Sequence, residues 1–288
     1  MGLIIKDNNA DFSGVAGAQK YYFDALATDG TLLIHDYSRA GCLPTQTLKN
    51  GVPVLDLAKG GTDLNLNSVF RTQSESFRND DYLEGGAMRL KNMRNEDSGL
   101  DGGINLGQTI QNYLRDNDVR KLVIILWVMI PYDAGSAEQS HTFISSTTSQ
   151  AIGSGNLIRV FLNPAHRLAI TLAGMHTTIA ARNPNDKFSQ VALVYERGEL
   201  LKSYRNGQKV NEDSEFPNTN SWGIPDSDLV IGVNETDVIV SRNKLGRIVI
   251  EDLDRSGRDA EEVITMDYNY VNATGDFTGI QKRPYANL

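Results

Sequence analysis

Short apolar runs alternate with clusters of Gly, Asn, Asp and Pro almost from end to end of the chain. Runs rich in Val, Ile, Leu and Tyr and bounded by turn formers predict strands, here over 31–35, 53–57, 87–90, 122–130, 157–162, 168–172, 191–195, 200–205, 229–233 and 247–253. Turn chemistry supports the pairing. Asn206-Gly207 suits a tight hairpin turn in which both central residues take positive φ. Arg197-Gly198 marks the preceding hairpin, and Asn163-Pro164-Ala165-His166 joins another pair, with Pro164 outside the ladder. The run 122–130 is apolar at successive positions, the pattern of a strand covered on both faces or of a buried helix; the β-branched Val123, Ile124, Ile125 and Val128, with Pro131 closing the run, favour the strand. One helix is well marked. Ser256 stands three residues before Asp259, and Ala260, Val263, Ile264, Asp267 and Val271 follow at helical spacing, with Asp259, Glu261 and Glu262 in the first turn. A second short helix is expected near 108–115. Many strands and a late helix predict an all-β protein, an antiparallel two-sheet β-sandwich with one short C-terminal helix.

Composition narrows the classes. The 288 residues carry 28 basic and 36 acidic side chains, a net charge of −8, which disfavours a phosphate-binding surface and hence nucleic-acid partners. Hydrophobic residues make up 40%, enough for a core. Cys42 stands alone, so neither an intramolecular disulfide nor a thiolate metal cluster is available. The longest apolar run, 122–131, is about half of what a membrane-spanning helix needs, so no membrane insertion is expected. The opening Leu3-Ile4-Ile5 is too short for a signal peptide and is followed at once by polar residues, so no secretory leader is expected.

The ends differ from the middle. We read 1–20 as an N-terminal arm, 21–84 as an extension packed on or continuous with the sandwich, 85–273 as the sandwich and 274–288 as a C-terminal tail. The arm carries Leu3, Ile4, Ile5 and Phe12, and the tail Phe277, Ile280 and Tyr285. Sparse apolar anchors on arms suit docking on a partner subunit as well as fraying.

From about Gly85 to Val271 the chain resembles the laminin G-like, or concanavalin A-like, sandwich family. The resemblance lies in Gly86-Ala87-Met88-Arg89-Leu90 as an opening strand, 121–131 (KLVIILWVMIP) as the tryptophan-bearing central strand, and Thr142-Phe143-Ile144-Ser145-Ser146 after a loop. It continues through QVALVY (190–195), the hairpin LKSYRNG (201–207), DLVIG (228–232), GRIVIEDL (246–253) and the helix start SGRDAEEV (256–263). It implies a concanavalin A-like jelly roll. Gly2-Leu3-Ile4-Ile5-Lys6 with Ala10-Asp11-Phe12-Ser13 also looks like the start of sandwich proteins from phage and prophage virion modules.

Some members of the sandwich family cleave glycans with carboxylates at alternate strand positions, a spacing that lets an acid and a nucleophile flank one bond. Asp252 and Asp254 have that spacing and Glu251 points the other way, but they end a strand beside a helix start, where acidic residues are ordinarily solvated. His35, His141, His166 and His176 have no ligand spacing, Cys42 has no nearby base, and Gly99–Gly107 lacks the Lys and Ser/Thr of a phosphate loop. The chain is therefore read as non-enzymatic. Sugar binding calls for a flat aromatic and polar side chains on one loop, and Asn220, Trp222, Asp226 and Asp228 share such a loop; the competing reading makes Trp222 a plug at the sandwich edge and is the favoured one. Asp226 and Asp228 are candidates for a Ca²⁺ ion, the one cofactor considered, as is Asn95-Glu96-Asp97, although neither group is an EF-hand loop. Tyr21-Tyr22 and 268–270 suit interface or core equally.

The first expectation is a structural protein of a phage-like virion or tail, assembled in the host cytoplasm, whose sandwich mediates contacts between copies, contacts with other virion proteins or surface attachment. The alternative is a carbohydrate-binding module that recognises a cell-surface glycan on a host. A glycan-cleaving enzyme ranks third and requires Asp252 and Asp254 to line a cleft.

Overall fold

Two antiparallel sheets face each other across one apolar core. The structure is a computed structural model that describes residues 24–39, 42, 54–59, 69–71, 82–83, 87–89, 103–130, 141–146, 158–162, 167–173, 175–182, 185–212, 221–225, 228–231 and 244–274. Its strands are β1 (Thr31–Asp36), β2 (Val69–Arg71), β3 (Tyr82–Leu83), β4 (Ala87–Arg89), β5 (Gly103–Asn105), β6 (Lys121–Ile130), β7 (His141–Ser145) and β8 (Ile158–Leu162). They continue with β9 (Arg167–Leu172), β10 (Met175–Arg182), β11 (Asn185–Glu196), β12 (Lys202–Arg205), β13 (Gln208–Glu212), β14 (Val230–Ile231) and β15 (Lys244–Asp252). The helices are α1 (Thr109–Asp116), α2 (Leu253–Ser256) and α3 (Ala260–Thr274).

One sheet runs β13-β12-β11-β6-β15-β4-β3, with β1 also pairing β15; the other runs β10-β9-β8-β7-β14-β5-β2. This is the expected all-β sandwich with a C-terminal helix. The apolar run of β6 lies inside the first sheet between β11 and β15, and Leu122 to Met129 are all buried. Alternate side chains of a strand point to opposite faces. Consequently Leu122, Ile124, Leu126 and Val128 share one face, while Val123, Ile125 and Trp127 share the face that meets α3. A strand covered on both sides has no need of polar alternation, which is why the run reads as continuously hydrophobic.

The turns follow from their residues. Asn206 and Gly207 take φ of 51° and 78° and join β12 to β13 as the Asn-Gly pair predicts. Gly30 has another reason to lack a side chain: a Cβ there would lie 2.4 Å from the Asp252 carbonyl oxygen, and the Gly30 carbonyl accepts the Asp252 N–H at 2.9 Å. The turn before β1 is thus pressed against the end of β15.

Two local expectations need correction. Residues 54–56 are not a strand; they run into a single 3-10 turn, Leu57–Lys59. Asp56 decides this, because its Oδ1 accepts the Ile34 N–H at 2.8 Å and the Ala58 N–H at 2.9 Å. A side chain caps the β1 edge that a strand would otherwise pair. The late helix also starts differently. β15 ends in α2, whose N-cap is Asp252, and Gly257 at φ 66° closes that turn. Asp259, not Ser256, accepts the first N–H groups of α3, from Glu261 at 2.8 Å and Glu262 at 3.2 Å. The expected helix near 108–115 is α1, which buries Ile110 and Leu114.

The arm and tail residues Leu3, Ile4, Ile5, Phe12, Phe277, Ile280 and Tyr285 lie outside the described residues. Among the described residues, no helix is long and apolar enough to cross a membrane.

Candidate functional site

Two polar constellations stand out, one buried and one exposed. The buried one is a row across four strands. The backbone register places Asp36 of β1 opposite Arg247 of β15, Arg247 opposite Trp127 of β6, and Trp127 opposite Gln190 of β11. Asp267 of α3 sits over this row. It accepts from Arg247 Nε at 2.7 Å, Trp127 Nε1 at 2.7 Å and Gln190 Nε2 at 2.9 Å. Arg247 Nη1 donates to Asp24 at 2.6 Å and Asp36 at 3.0 Å, and Tyr270 lies over the guanidinium at 5.4 Å from the ring centroid.

Every member of this row is buried. Burial alone would raise the Asp24 carboxyl, but the Arg247 guanidinium outweighs it and holds the group below its ordinary value. Burial alone would likewise lower Arg247, and Asp267, Asp24 and Asp36 together hold it well above its usual range. Such a row can orient a helix on a sheet. It offers no open face to a substrate, because its side chains are buried and most of their polar atoms bond one another.

Around it α3 is seated by a few side chains. Tyr268 stacks on Trp127 at 5.9 Å and 8°, Gln190 Nε2 also reaches the Ile264 carbonyl at 2.8 Å, and Tyr204 donates to Glu261 at 3.0 Å. Val263, Ile264 and Val271 are its buried aliphatics.

The carboxylates weighed for glycan cleavage are similarly occupied. Asp252 accepts from Arg255 N at 3.1 Å and from the Tyr113 hydroxyl at 2.9 Å. Asp254 accepts the N–H groups of Arg120 at 2.7 Å and Lys121 at 2.9 Å, and the buried Glu251 pairs with Arg258. These contacts fasten the end of β15 to the start of β6 and to α1.

The exposed constellation is in the second sheet, where the end of β5 meets the start of β14. Leu106 N donates to the Leu229 carbonyl and Leu229 N to the Gly107 carbonyl, both at 2.8 Å. This reciprocal pair brings Asn105, at the end of β5, beside Asp228, just before β14. Asn105 Nδ2 donates to Asp228 Oδ2 at 2.8 Å, and Asn105 Oδ1 accepts the Gly107 N–H at 2.6 Å. Gly107, at φ 63°, supplies the turn. Asp228 is exposed and Asn105 half-exposed.

Of the four loop residues expected to bind sugar, the structure describes Trp222 and Asp228, and of these Asp228 stands at the surface. Trp222 is 5% exposed; its Nε1 donates to the Val119 carbonyl at 2.7 Å and its ring lies 5.1 Å from that of Tyr195. That is the plug, not a platform on which a sugar can stack. Asn220 and Asp226 lie outside the described residues, so the Asp226–Asp228 cation pair is represented by Asp228 alone. Two residues escaped the sequence reading: Asn105, which is 123 positions from its partner and marked only by the Asn-Leu-Gly that ends a strand, and Ile224, which projects from the same loop as Trp222 with 80% exposure.

No protein-family model matches the sequence, and no curated protein matches it significantly. Solved structures do share its architecture. The receptor-binding domain of botulinum neurotoxin C/D mosaic serotype aligns with a TM-score of 0.53 at 14% identity over 84% of this chain and 51% of that one. A botulinum neurotoxin type C structure, described with cell entry dependent on two ganglioside molecules, aligns with a TM-score of 0.52 at 14% identity over 84% of this chain and 51% of that one. Trypanosoma rangeli sialidase in complex with sialic acid aligns with a TM-score of 0.52 at 13% identity over 85% of this chain and 33% of that one. The chain therefore spans about half the length of the toxin domains and a third of the sialidase. At these identities the likeness is one of fold: a sheet-rich two-sheet β-sandwich.

Proposed function

We propose that the chain is a non-enzymatic recognition module whose sandwich attaches to a cell-surface carbohydrate through the Asn105–Asp228 pair. The observation that carries this reading is an exposed carboxylate held at 2.8 Å from a carboxamide, each fixed by backbone pairing of its strand end. A sugar diol needs an acceptor and a donor side by side. After their mutual bond, Asp228 keeps a second carboxylate oxygen and Asn105 a second N–H. Ile224 adds an apolar surface nearby along the chain, of the sort that the carbon face of a sugar covers. The fold likeness to proteins described with gangliosides, sialic acid and receptor binding supports this choice over a purely architectural one.

On an array of cell-surface glycans, the protein is expected to bind a restricted set. Asp228→Ala and Asn105→Ala should each weaken that binding by about tenfold or more, since hydrogen bonds to a charged group contribute about 1.5–3 kcal/mol. Melting temperatures should stay within a few degrees of the parent. Binding that survives both substitutions, or an array that remains blank, overturns the assignment.

A second reading places the module in a phage-like virion or tail, where copies assemble and the glycan belongs to a host. It draws on the N-terminal resemblance and on Val210 of β13 and Met266 of α3, apolar side chains standing exposed on the sandwich surface. Light scattering should then give a defined homo-oligomer that falls to monomer when 1–20 or 274–288 is deleted. A monomer for the full chain counts against the assembly role and leaves the recognition role standing.

A further inference from the structure

β1 is built differently from the strands around it. Among the described residues it pairs with β15 alone, and its other edge is held by the Asp56 side chain. The segment that carries Asp56 is joined to it by two backbone bonds, Leu55 N to the Cys42 carbonyl at 2.8 Å and Asp24 N to the Leu57 carbonyl at 3.1 Å. Residues 24–39, 42 and 54–58 therefore form a small unit fastened to β15.

The two faces of β1 hold that unit by unlike means. On the face away from α3, His35 is fully buried and both ring nitrogens are without a hydrogen-bond partner among the described residues; its neighbour there is the Tyr37 ring, edge-on at 6.0 Å. A proton on that ring would place a cation in the core with no acceptor bonded to it among the described residues. On the opposite face, Asp36 and Asp24 converge on Arg247, which Asp267 of α3 already pairs; Arg39 approaches Asp36 at 4.0 Å, and Tyr270 covers both guanidinium groups. Departure of the unit would remove two carboxylates and leave Arg247 and Asp267 matched one to one, with Trp127 and Gln190 still donating to Asp267. The rest of the sheet thus keeps the Arg247–Asp267 ion pair and its links to Trp127 and Gln190 without β1.

We propose that β1 and its flanking segments are an acid-opened latch, in which protonation of His35 releases the unit from β15 while the remaining strands stay paired. The geometry decides the direction. Burial holds the closed-state imidazole down to about 3, whereas an exposed histidine takes its proton near 6.5. A group whose pKa is depressed in the closed form stabilises that form fully above the open-state value, and the stabilisation is lost as pH falls from about 6.5 towards about 3. Asp24, also held below its ordinary value, acts in the same direction in a lower window, below about 4. His35 is therefore the group that responds first.

Cys42 is the reporter. It is the single cysteine, it is buried in the unit, and burial together with Asp36 raises its thiol well above the ordinary value. The experiment is to measure labelling of Cys42 in the full chain by 4,4′-dithiodipyridine across pH, with the rate referenced to free cysteine at each pH. The referenced rate should rise about 100-fold between about pH 8 and about pH 4.5, the factor that two pH units below the open-state value supplies. Far-UV circular dichroism should remain native over that range. His35→Phe, which fills the site with a ring that cannot titrate, should flatten the rise; His35→Leu is the second variant. Hydrogen exchange on the wild-type protein gives an answer if neither variant folds: amides of 31–36 should lose protection on acidification while those of β6 keep it. A flat labelling profile, an undiminished rise in a folded His35 variant, or loss of protection in β6 at the same pH as in β1 would each overturn the proposal.

Discussion

Replacing Arg247 by leucine is expected to destabilise the protein by about 3–5 kcal/mol, the usual cost of breaking a buried ion pair from one side. The substitution leaves Asp24, Asp36 and Asp267 buried with no cation among them. None of the four side chains is more than marginally exposed, so solvent does not dilute the effect. Urea unfolding followed by tryptophan fluorescence measures it, and Trp127, which donates to Asp267, lies inside the network being perturbed. Arg247→Lys supplies the control: it keeps the charge and loses the fork that addresses Asp267 with Nε and Asp24 and Asp36 with Nη1, so its loss should be smaller but still clear. Combining Arg247→Leu with neutral replacements of the three aspartates should restore much of the stability, because the penalty comes from the stranded carboxylates. If Arg247→Leu unfolds at the parental urea concentration, the row contributes nothing net and α3 is held by Val263, Ile264, Val271 and the Trp127–Tyr268 stack alone.

The sandwich was legible because its strands obey local rules. The continuous apolar run of β6, the Asn206-Gly207 turn and the acidic start of α3 each act over a few residues, and each appears in the structure. What could not be read are arrangements made by residues far apart. Asp56 looks like the polar member of an alternating strand, PVLDL, and nothing nearby says that its carboxylate caps a backbone N–H twenty-two positions away. Asp267 sits at a core-facing position of the helix, and sequence periodicity can say that it is inward without naming Arg247, Trp127 and Gln190 as its partners. Asp259 displaced Ser256 as the cap of α3 because Gly257 ended a turn that the capping pattern alone did not reveal. At the exposed pair the limits were the same. Asp228 was found from its loop, whereas Asn105 was not, since the two meet only when β5 and β14 pair. Asp228 is exposed, and Trp222 is the buried plug that the sequence favoured, an aromatic turned away from any sugar.

That aromatic allows the sharpest separation of fold from function. Trp222→Ala is expected to lower stability by about 3–5 kcal/mol, the range for deleting a buried tryptophan. The indole is removed from beside Tyr195, at a ring distance of 5.1 Å, and the Val119 carbonyl loses its donor. Val119 follows α1, so the loss loosens the junction between that helix and the 221–225 segment, not just one side chain's packing. Trp222→Phe retains a ring but loses the N–H and part of the indole's volume, so its cost should be smaller than that of Trp222→Ala and include the about 1–3 kcal/mol of an unsatisfied carbonyl. Unfolding by urea, run beside glycan binding on the folded fraction, distinguishes the roles. A plug predicts a large loss of stability with binding unchanged per folded molecule, because Asn105 and Asp228 are held by the Leu106–Leu229 and Leu229–Gly107 backbone bonds and not by the indole. A stability within about 1 kcal/mol of the parent, accompanied by loss of binding, would mean that the ring turns outward to meet the sugar, and would return Trp222 to the recognition surface.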